Sequence, residues 1–203
     1  MEPFSPLAQV CLTAALGLLV GSFLNVVIYR LPKMLQTAWQ TTSDTLPTTW
    51  NLAWPASHCP HCQHAIAWFD NVPLWSFIQL KGRCRHCHTP IAWHYPLVEL
   101  SSAILSALVA IKFGWSLQTG AALIFVWIGL ALTVIDWQHQ LLPDALTLPL
   151  LWLGLLLNTN PRFTSPSAAI LGAALGYGIF WLVNQLSCWL LRKDGLGGGD
   201  AKL

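Results

Sequence analysis

Long apolar runs separated by shorter polar segments set the pattern of this chain. Five runs predict helices over these approximate ranges: 7–28, 96–113, 119–135, 144–157 and 167–191. Crossing the hydrocarbon of a bilayer takes about 20 helical residues, within a range of about 17–25. The fourth run is short and contains Pro149, so it is the weakest candidate for a span. The pattern predicts an all-α polytopic membrane protein with about five transmembrane helices.

Composition supports a membrane location. Of the 203 residues, 55% are hydrophobic and only 9% are charged, whereas soluble domains carry roughly 25% charged residues. The 12 tryptophans also fit a bilayer, because the indole ring favours the membrane–water interface.

The order of charges around the first run indicates its orientation. Glu2 precedes the run, and Arg30 and Lys33 follow it, whereas a cleaved signal peptide has its basic residues first. With the N-terminus outside, five crossings leave these segments inside: 30–95, 136–143 and 192–203. They hold eight of the ten Lys and Arg residues, as the positive-inside rule requires.

The only sizeable polar segment, 30–95, contains four cysteines. Cys59 and Cys62 form one C-x2-C pair, Cys84 and Cys87 form another, and 21 residues separate the pairs. Two such pairs can offer four thiolates to one tetrahedral zinc ion, and so short a segment needs a staple of this kind. Two disulfides are the alternative, which a reducing cytoplasmic loop disfavours. Four thiolates leave no open coordination position, so we expect the zinc to be structural.

Two aspartates stand where apolar sequence meets polar sequence. Asp136 ends an apolar run, and Asp200 closes a glycine-rich run. An ionisable residue at a membrane edge is a functional candidate, because it is costly there unless well solvated. Two adjacent carboxyl groups can share one proton and activate water. The sharp hypothesis is therefore a membrane-embedded aspartic protease, with both aspartates on the inner side.

Alternatives stay open for these aspartates. Asp136 and Asp200 are also suited to be interfacial caps, and Asp144 is suited to cap the fourth helix. Asp144 is also a rival to Asp136 as a member of the catalytic pair, since the two lie only eight residues apart. A proton relay in a transporter is a third function, but its carboxylates would lie nearer the bilayer middle.

Taken together, these segments resemble the bacterial prepilin peptidases, also called type IV leader peptidase/N-methyltransferases. Residues 21–32 resemble the N-terminal signature of the family, and the cysteine module with 71–73 resembles its cytoplasmic domain. Residues 135–144 and 197–202 resemble its two catalytic segments. The second contains the G-x-G-D motif shared with presenilin-like intramembrane proteases.

The resemblance implies removal of the basic leader from type IV prepilins or type II secretion pseudopilins. Such enzymes cut after a glycine, on the cytoplasmic side of the inner membrane. By the family pattern, the catalytic pair is Asp136 and Asp200 rather than Asp144. Gly197 and Gly199 lie in the active-site loop, where glycine allows close approach of a peptide backbone.

Many members of this family also methylate the new N-terminal amine with S-adenosylmethionine. No G-x-G-x-x-G follows a predicted strand in this chain, so no motif marks a cofactor site. Glu99, at the start of the second helix, is a candidate for a role in methylation. A carboxylate that merely favours a helix N-terminus is the alternative.

Three parts are expected along the chain. They are a first transmembrane helix over 1–29, a cytoplasmic four-cysteine zinc domain over 30–95, and a membrane aspartic protease domain over 96–203. The family continues into further membrane helices, so the resemblance implies that the C-terminal helices are missing here. A catalytically inactive zinc-bearing membrane scaffold of a pilus or secretion system is therefore the alternative function. No nucleic-acid partner is expected, and the oligomeric state is not predicted.

Overall fold

The computed structural model describes residues 5–40 and 51–191. Its helices are α1 (Pro6–Gln40), α2 (Trp75–Gln79), α3 (His94–Phe113), α4 (Leu117–His139), α5 (Asp144–Leu157) and α6 (Pro166–Leu191), with a 3-10 turn over Trp68–Asn71. Within these residues there are two isolated β-bridges and no strand. The predicted all-α class is confirmed. The chain divides into two compact units, Met1–Ala131 and Leu132–Leu203.

Four of the described helices are long and apolar enough to cross a membrane. These candidate spans are Pro6–Thr37, His94–Phe113, Leu117–His139 and Pro166–Val183. The fifth predicted span, α5, matches its predicted range but has only 14 residues. At 1.5 Å per residue it is about 21 Å long, which is short of the hydrocarbon thickness. The helices leave many large apolar side chains exposed, as lipid-facing surfaces do.

Helix α1 is 12 residues longer at its C-terminal end than the apolar run predicts, since it continues from 28 to Gln40. The run ends because Arg30 is charged, yet this residue is only 6% exposed. The Arg30 guanidinium donates hydrogen bonds to the backbone carbonyls of Asn51 at 2.9 Å and Pro55 at 2.6 Å. A buried charge with such partners is compatible with a continuing helix. Pro32 lies inside the same helix.

The first unit is built on close packing of α1 against α3. Gly17 and Gly21 lie on the face of α1 that meets Ser102 and Glu99 of α3. A Cβ added at Gly21 would come within 2.8 Å of the Glu99 Cα, and one added at Gly17 within 2.8 Å of the Ser102 carbonyl oxygen. Small residues four apart allow helix backbones in membranes to approach in this way.

A chain of hydrogen bonds crosses the same interface. Ser102 donates its hydroxyl to the Gly17 carbonyl oxygen at 2.7 Å, and Ser106 donates to the Ser102 carbonyl oxygen at 2.6 Å. The indole N–H of Trp127 donates to the Ser106 hydroxyl oxygen at 2.9 Å. Both serines are fully buried. Each buried hydroxyl therefore has a partner, as a low-dielectric interior requires.

Candidate metal centre and ligand cavity

The two cysteine pairs are built by the same backbone motif, repeated 25 residues apart. In the first, the N–H of Cys59 donates to the His64 carbonyl at 2.9 Å, and the N–H of Gln63 donates to the Cys59 carbonyl at 2.9 Å. In the second, Cys84 and His88 make the equivalent bonds at 2.9 and 3.0 Å. Gln63 and His88 both have positive φ, at 59° and 55°. The repeated turn directs both thiols of each pair to one side.

The four thiols meet at one point. All four Sγ atoms lie within 4.8 Å of one another, and they belong to Cys59, Cys62, Cys84 and Cys87. The Sγ atoms of Cys59 and Cys87 are 3.8 Å apart. A tetrahedral zinc ion with Zn–S bonds of about 2.3 Å requires S···S edges of about 3.8 Å. The set therefore fits one metal ion, and these thiols are not joined as disulfides.

The thiols differ in acidity. The Cys87 Sγ lies 3.2 Å from the Thr89 hydroxyl, and hydrogen bonding with the Thr89 side chain and backbone lowers the pKa of Cys87 to about 6. For Cys62, the backbone at His64 lowers the pKa, but burial and the other three thiols outweigh it and raise the value to about 11. A cation among them would favour the thiolate form of every member.

An ion pair ties the second cysteine pair to the 3-10 turn. Arg85 donates two hydrogen bonds to Asp70, from Nε at 2.9 Å and from Nη2 at 2.6 Å. The guanidinium also lies 5.4 Å from the centre of the Phe69 ring. Hydrogen bonding to Arg85 lowers the pKa of the Asp70 carboxyl. The bidentate geometry holds the turn against the cysteine module.

A cavity of about 590 Å³ lies within the first unit, between the cysteine module and helices α1 and α3. This volume is typical of sites for small molecules. Polar groups from both helices line it, among them Asn25, Tyr95 and Glu99. The Glu99 carboxylate accepts a hydrogen bond from the backbone N–H of Leu74 at 2.8 Å. Sequence reasoning missed this cavity, although Ser22 and Asn25 are polar residues inside an apolar run.

The predicted catalytic residues are only partly described. Asp136 lies in the last turn of α4 and is exposed, directly after the fully buried Ile135. Asp144 lies in the first turn of α5, where Pro143 rather than Asp144 is the N-cap residue. Asp200 lies outside the described residues, as do Gly197 and Gly199. The pairing of Asp136 with Asp200 stays a prediction.

The site and fold define a multi-pass helical membrane protein with a four-cysteine site that can bind a metal ion. The bacterial peptidase A24 N-terminal domain family matches residues 15–113, and the type IV leader peptidase family matches residues 123–203. The chain belongs to the type IV leader peptidase family and is a peptidase.

Relatives from three bacteria are similar over nearly the whole chain, and each is named prepilin leader peptidase/N-methyltransferase. The protein of Stutzerimonas stutzeri is 47% identical over 98% of this chain and 72% of its own length. That of Pseudomonas aeruginosa is 47% identical over 98% and 71%. That of Neisseria gonorrhoeae is 44% identical over 100% and 74%. No solved structure matches the chain.

Proposed function

We propose that this chain is a membrane aspartic endopeptidase that removes the basic leader of type IV prepilins or type II secretion pseudopilins. The observation that carries the proposal is the match to the type IV leader peptidase family over 123–203, because this segment contains both Asp136 and Asp200. The names of relatives that are 44–47% identical support the substrate class. The peptide bond after a glycine is cut on the cytoplasmic face of the inner membrane. The orientation that follows from the positive-inside rule has both aspartates on this face.

The chemistry requires two carboxyl groups in different protonation states. One ionised aspartate takes a proton from a water molecule while the oxygen of that water forms a bond to the scissile carbonyl carbon. The other, protonated aspartate donates its proton to the carbonyl oxygen. Collapse of the tetrahedral intermediate breaks the C–N bond, and the amine leaves with a proton. Close like charges raise one pKa above the other and so supply this asymmetry.

The position of Asp136 supports this role. Its side chain is exposed at the end of α4, while the neighbouring Ile135 is 0% exposed. The helix terminus is thus anchored by an apolar residue and presents a carboxylate to water and substrate. Rigid elements hold catalytic groups more accurately than loops do. The glycines before Asp200 would let an extended peptide lie against the site.

Two further groups are part of the proposal. Zinc, held by the four cysteines, would hold the two cysteine pairs together and have a structural role, since four thiolates leave no position for a catalytic water.

The chain also methylates the new N-terminus, as the names of its relatives suggest. S-adenosylmethionine, if bound, would supply an electrophilic methyl group to the lone pair of the amine after its ammonium form has lost a proton to solvent, with the electron pair of the C–S bond left on sulfur. The cavity in the first unit is large enough for such a cofactor.

The test is leader removal by the chain in membranes, using a prepilin with a basic leader and measuring cleavage on a gel. Asp136→Asn and Asp200→Asn should each abolish cleavage while protein levels stay near those of the wild type. Asp144→Asn is the matched control, since this nearby aspartate lies in the first turn of α5, and it should retain cleavage. Cleavage that survives in either of the first two variants would refute the assignment. No cleavage by the wild-type chain would favour the inactive scaffold.

A further inference from the structure

The side chain of Asn25 has an unused hydrogen-bond acceptor. Asn25 is only 7% exposed, and its Nδ2 donates to the backbone carbonyl of Tyr95 at 3.1 Å. Because a carbonyl only accepts, this contact fixes the amide orientation and leaves Oδ1 on the other side. Oδ1 has no partner among the residues that the structure describes. Buried polar atoms without a partner are rare in folded proteins, so this oxygen points to a missing donor.

Glu99 supplies a second acceptor beside the first. The Asn25 and Ser22 side chains are polar neighbours of its carboxylate. One oxygen, Oε2, accepts from the backbone N–H of Leu74 at 2.8 Å. Among the described residues, no cation acts on this half-buried carboxylate. The charged form of a carboxylate at such a position is costly unless a partner is bound.

Asn25 and Glu99 both line the cavity of about 590 Å³. The remainder of its wall is rich in rings, contributed by Tyr29, His64, Phe69, Phe77 and His86. Arg30 and Arg85 also line it, but their guanidinium groups are bound to backbone carbonyls and to Asp70. The His64 and His86 rings lie close together, with their centres 3.5 Å apart. A polar end with two acceptors and an aromatic remainder suits a ligand that has both a cationic head and a flat or apolar body.

We infer that Asn25 and Glu99 form the ammonium-binding end of this cavity and that the cavity is where methylation takes place. A primary ammonium has three N–H donors and a positive charge, which matches an amide oxygen without a hydrogen-bond partner and a carboxylate without a cationic partner. A ligand hydroxyl, by comparison, would offer one hydrogen-bond donor and no charge. The inference rests on the proposed methylation activity. Two sources supply this chemistry: the amino group of S-adenosylmethionine and the new N-terminal amine of the cleaved substrate.

The test compares ligands that have the amine with ligands that lack it, using the zinc-loaded full chain in nanodiscs. For the cofactor, the probes are S-adenosylmethionine and its deaminated analogue, which keeps the sulfonium and the carboxylate but lacks the amino group, with Kd measured by calorimetry. For the substrate, the probes are a mature pilin peptide with a free N-terminus and its N-acetylated form. The variants are Glu99→Gln and Asn25→Leu, and Asn158→Leu in the second unit is the matched control.

Both site variants should weaken binding of one amine-bearing probe at least tenfold and leave its amine-free counterpart within twofold. Loss for S-adenosylmethionine identifies the cofactor amine, and loss for the free peptide identifies the substrate amine. Methylation, followed by mass spectrometry, should fall in parallel while leader cleavage continues. Because each variant is compared across two ligands, partial unfolding would weaken both probes alike and count against the inference.

The inference is overturned if neither variant changes the preference for the amine-bearing probe. This outcome is distinct from failure of the proposed peptidase. A wild-type chain that binds S-adenosylmethionine but does not cleave prepilin would refute the peptidase alone. A wild-type chain that cleaves prepilin but neither binds S-adenosylmethionine nor methylates would refute the methylation site alone.

Discussion

The hydroxyl of Ser102 on α3 donates a 2.7 Å hydrogen bond to the backbone carbonyl of Gly17 on α1. This contact forms only because Gly17 has no side chain to keep the helices apart. The same approach places Glu99 next to Gly21, one turn along the interface. The helix contact that organises the first unit thus also positions a carboxylate in its cavity.

Replacing Gly21 with leucine should separate α1 from α3. An added Cβ would come within 2.8 Å of the Glu99 backbone, and overpacking of this kind costs about 1–3 kcal/mol. We expect a lower midpoint of thermal unfolding in detergent and less protein in membranes. Gly120→Leu is the control, because a Cβ there meets nothing within 4 Å. Equal stability of the two variants would show that close helix approach is not required.

Replacing Arg30 with leucine should loosen the segment that enters the cysteine module. The guanidinium bonds the carbonyls of Asn51 and Pro55, and a hydrogen bond to a charged group contributes about 1.5–3 kcal/mol. Hydrogen exchange at the amides of 53–54 should accelerate about tenfold or more. Arg30→Lys should show most of this effect, because one ammonium cannot reproduce the forked geometry. Unchanged exchange in both variants would contradict the anchoring role.

Removal of one cysteine ligand should abolish metal binding. Since four Sγ atoms surround one point, the purified chain should carry about one zinc per molecule by elemental mass spectrometry, and Cys84→Ser should carry far less. Loss of the metal should also make the cysteine module sensitive to proteolysis, because metal binding and folding are coupled. Cys11→Ser removes an exposed thiol outside the cluster and should keep full metal content. A Cys84→Ser protein with full zinc would rule out this centre.

The pair of Asp70 and Arg85 should stabilise the cysteine module in a pH-dependent way. Hydrogen bonding to Arg85 lowers the pKa of Asp70 below its ordinary value of 3.8. The stabilisation is therefore complete above that value and is lost as the pH falls through the lower folded pKa. Asp70→Asn should melt at a lower temperature than the wild type at pH 7, with the difference shrinking below pH 3.8.

Comparing Asp70→Asn with the wild type at each pH cancels the loss of metal that acid causes in both proteins. A temperature difference that stays constant from pH 7 to the acid limit would show that the carboxylate charge is not involved. Added salt should also reduce the difference at pH 7, because surface ion pairs are screened.

The helices could be predicted because the signal that defines them is local. An apolar run in lipid must satisfy its backbone internally and therefore folds as a helix. For α5, the prediction gave both ends correctly, and for α3 it gave the end at Phe113. For α1 it stopped at 28, because a charged residue normally ends an apolar run, whereas distant carbonyls satisfy Arg30 in the fold.

The sequence by itself determined the apolar helices and the C-x2-C pairs, whose spacing favours one metal site shared by four thiols over two disulfides. Only the tertiary structure decided that Asn25 and Glu99, which lie on different helices, line one cavity. Contacts between distant segments depend on how helix faces pack, and hydrophobic periodicity carries no information about which polar side chains then meet.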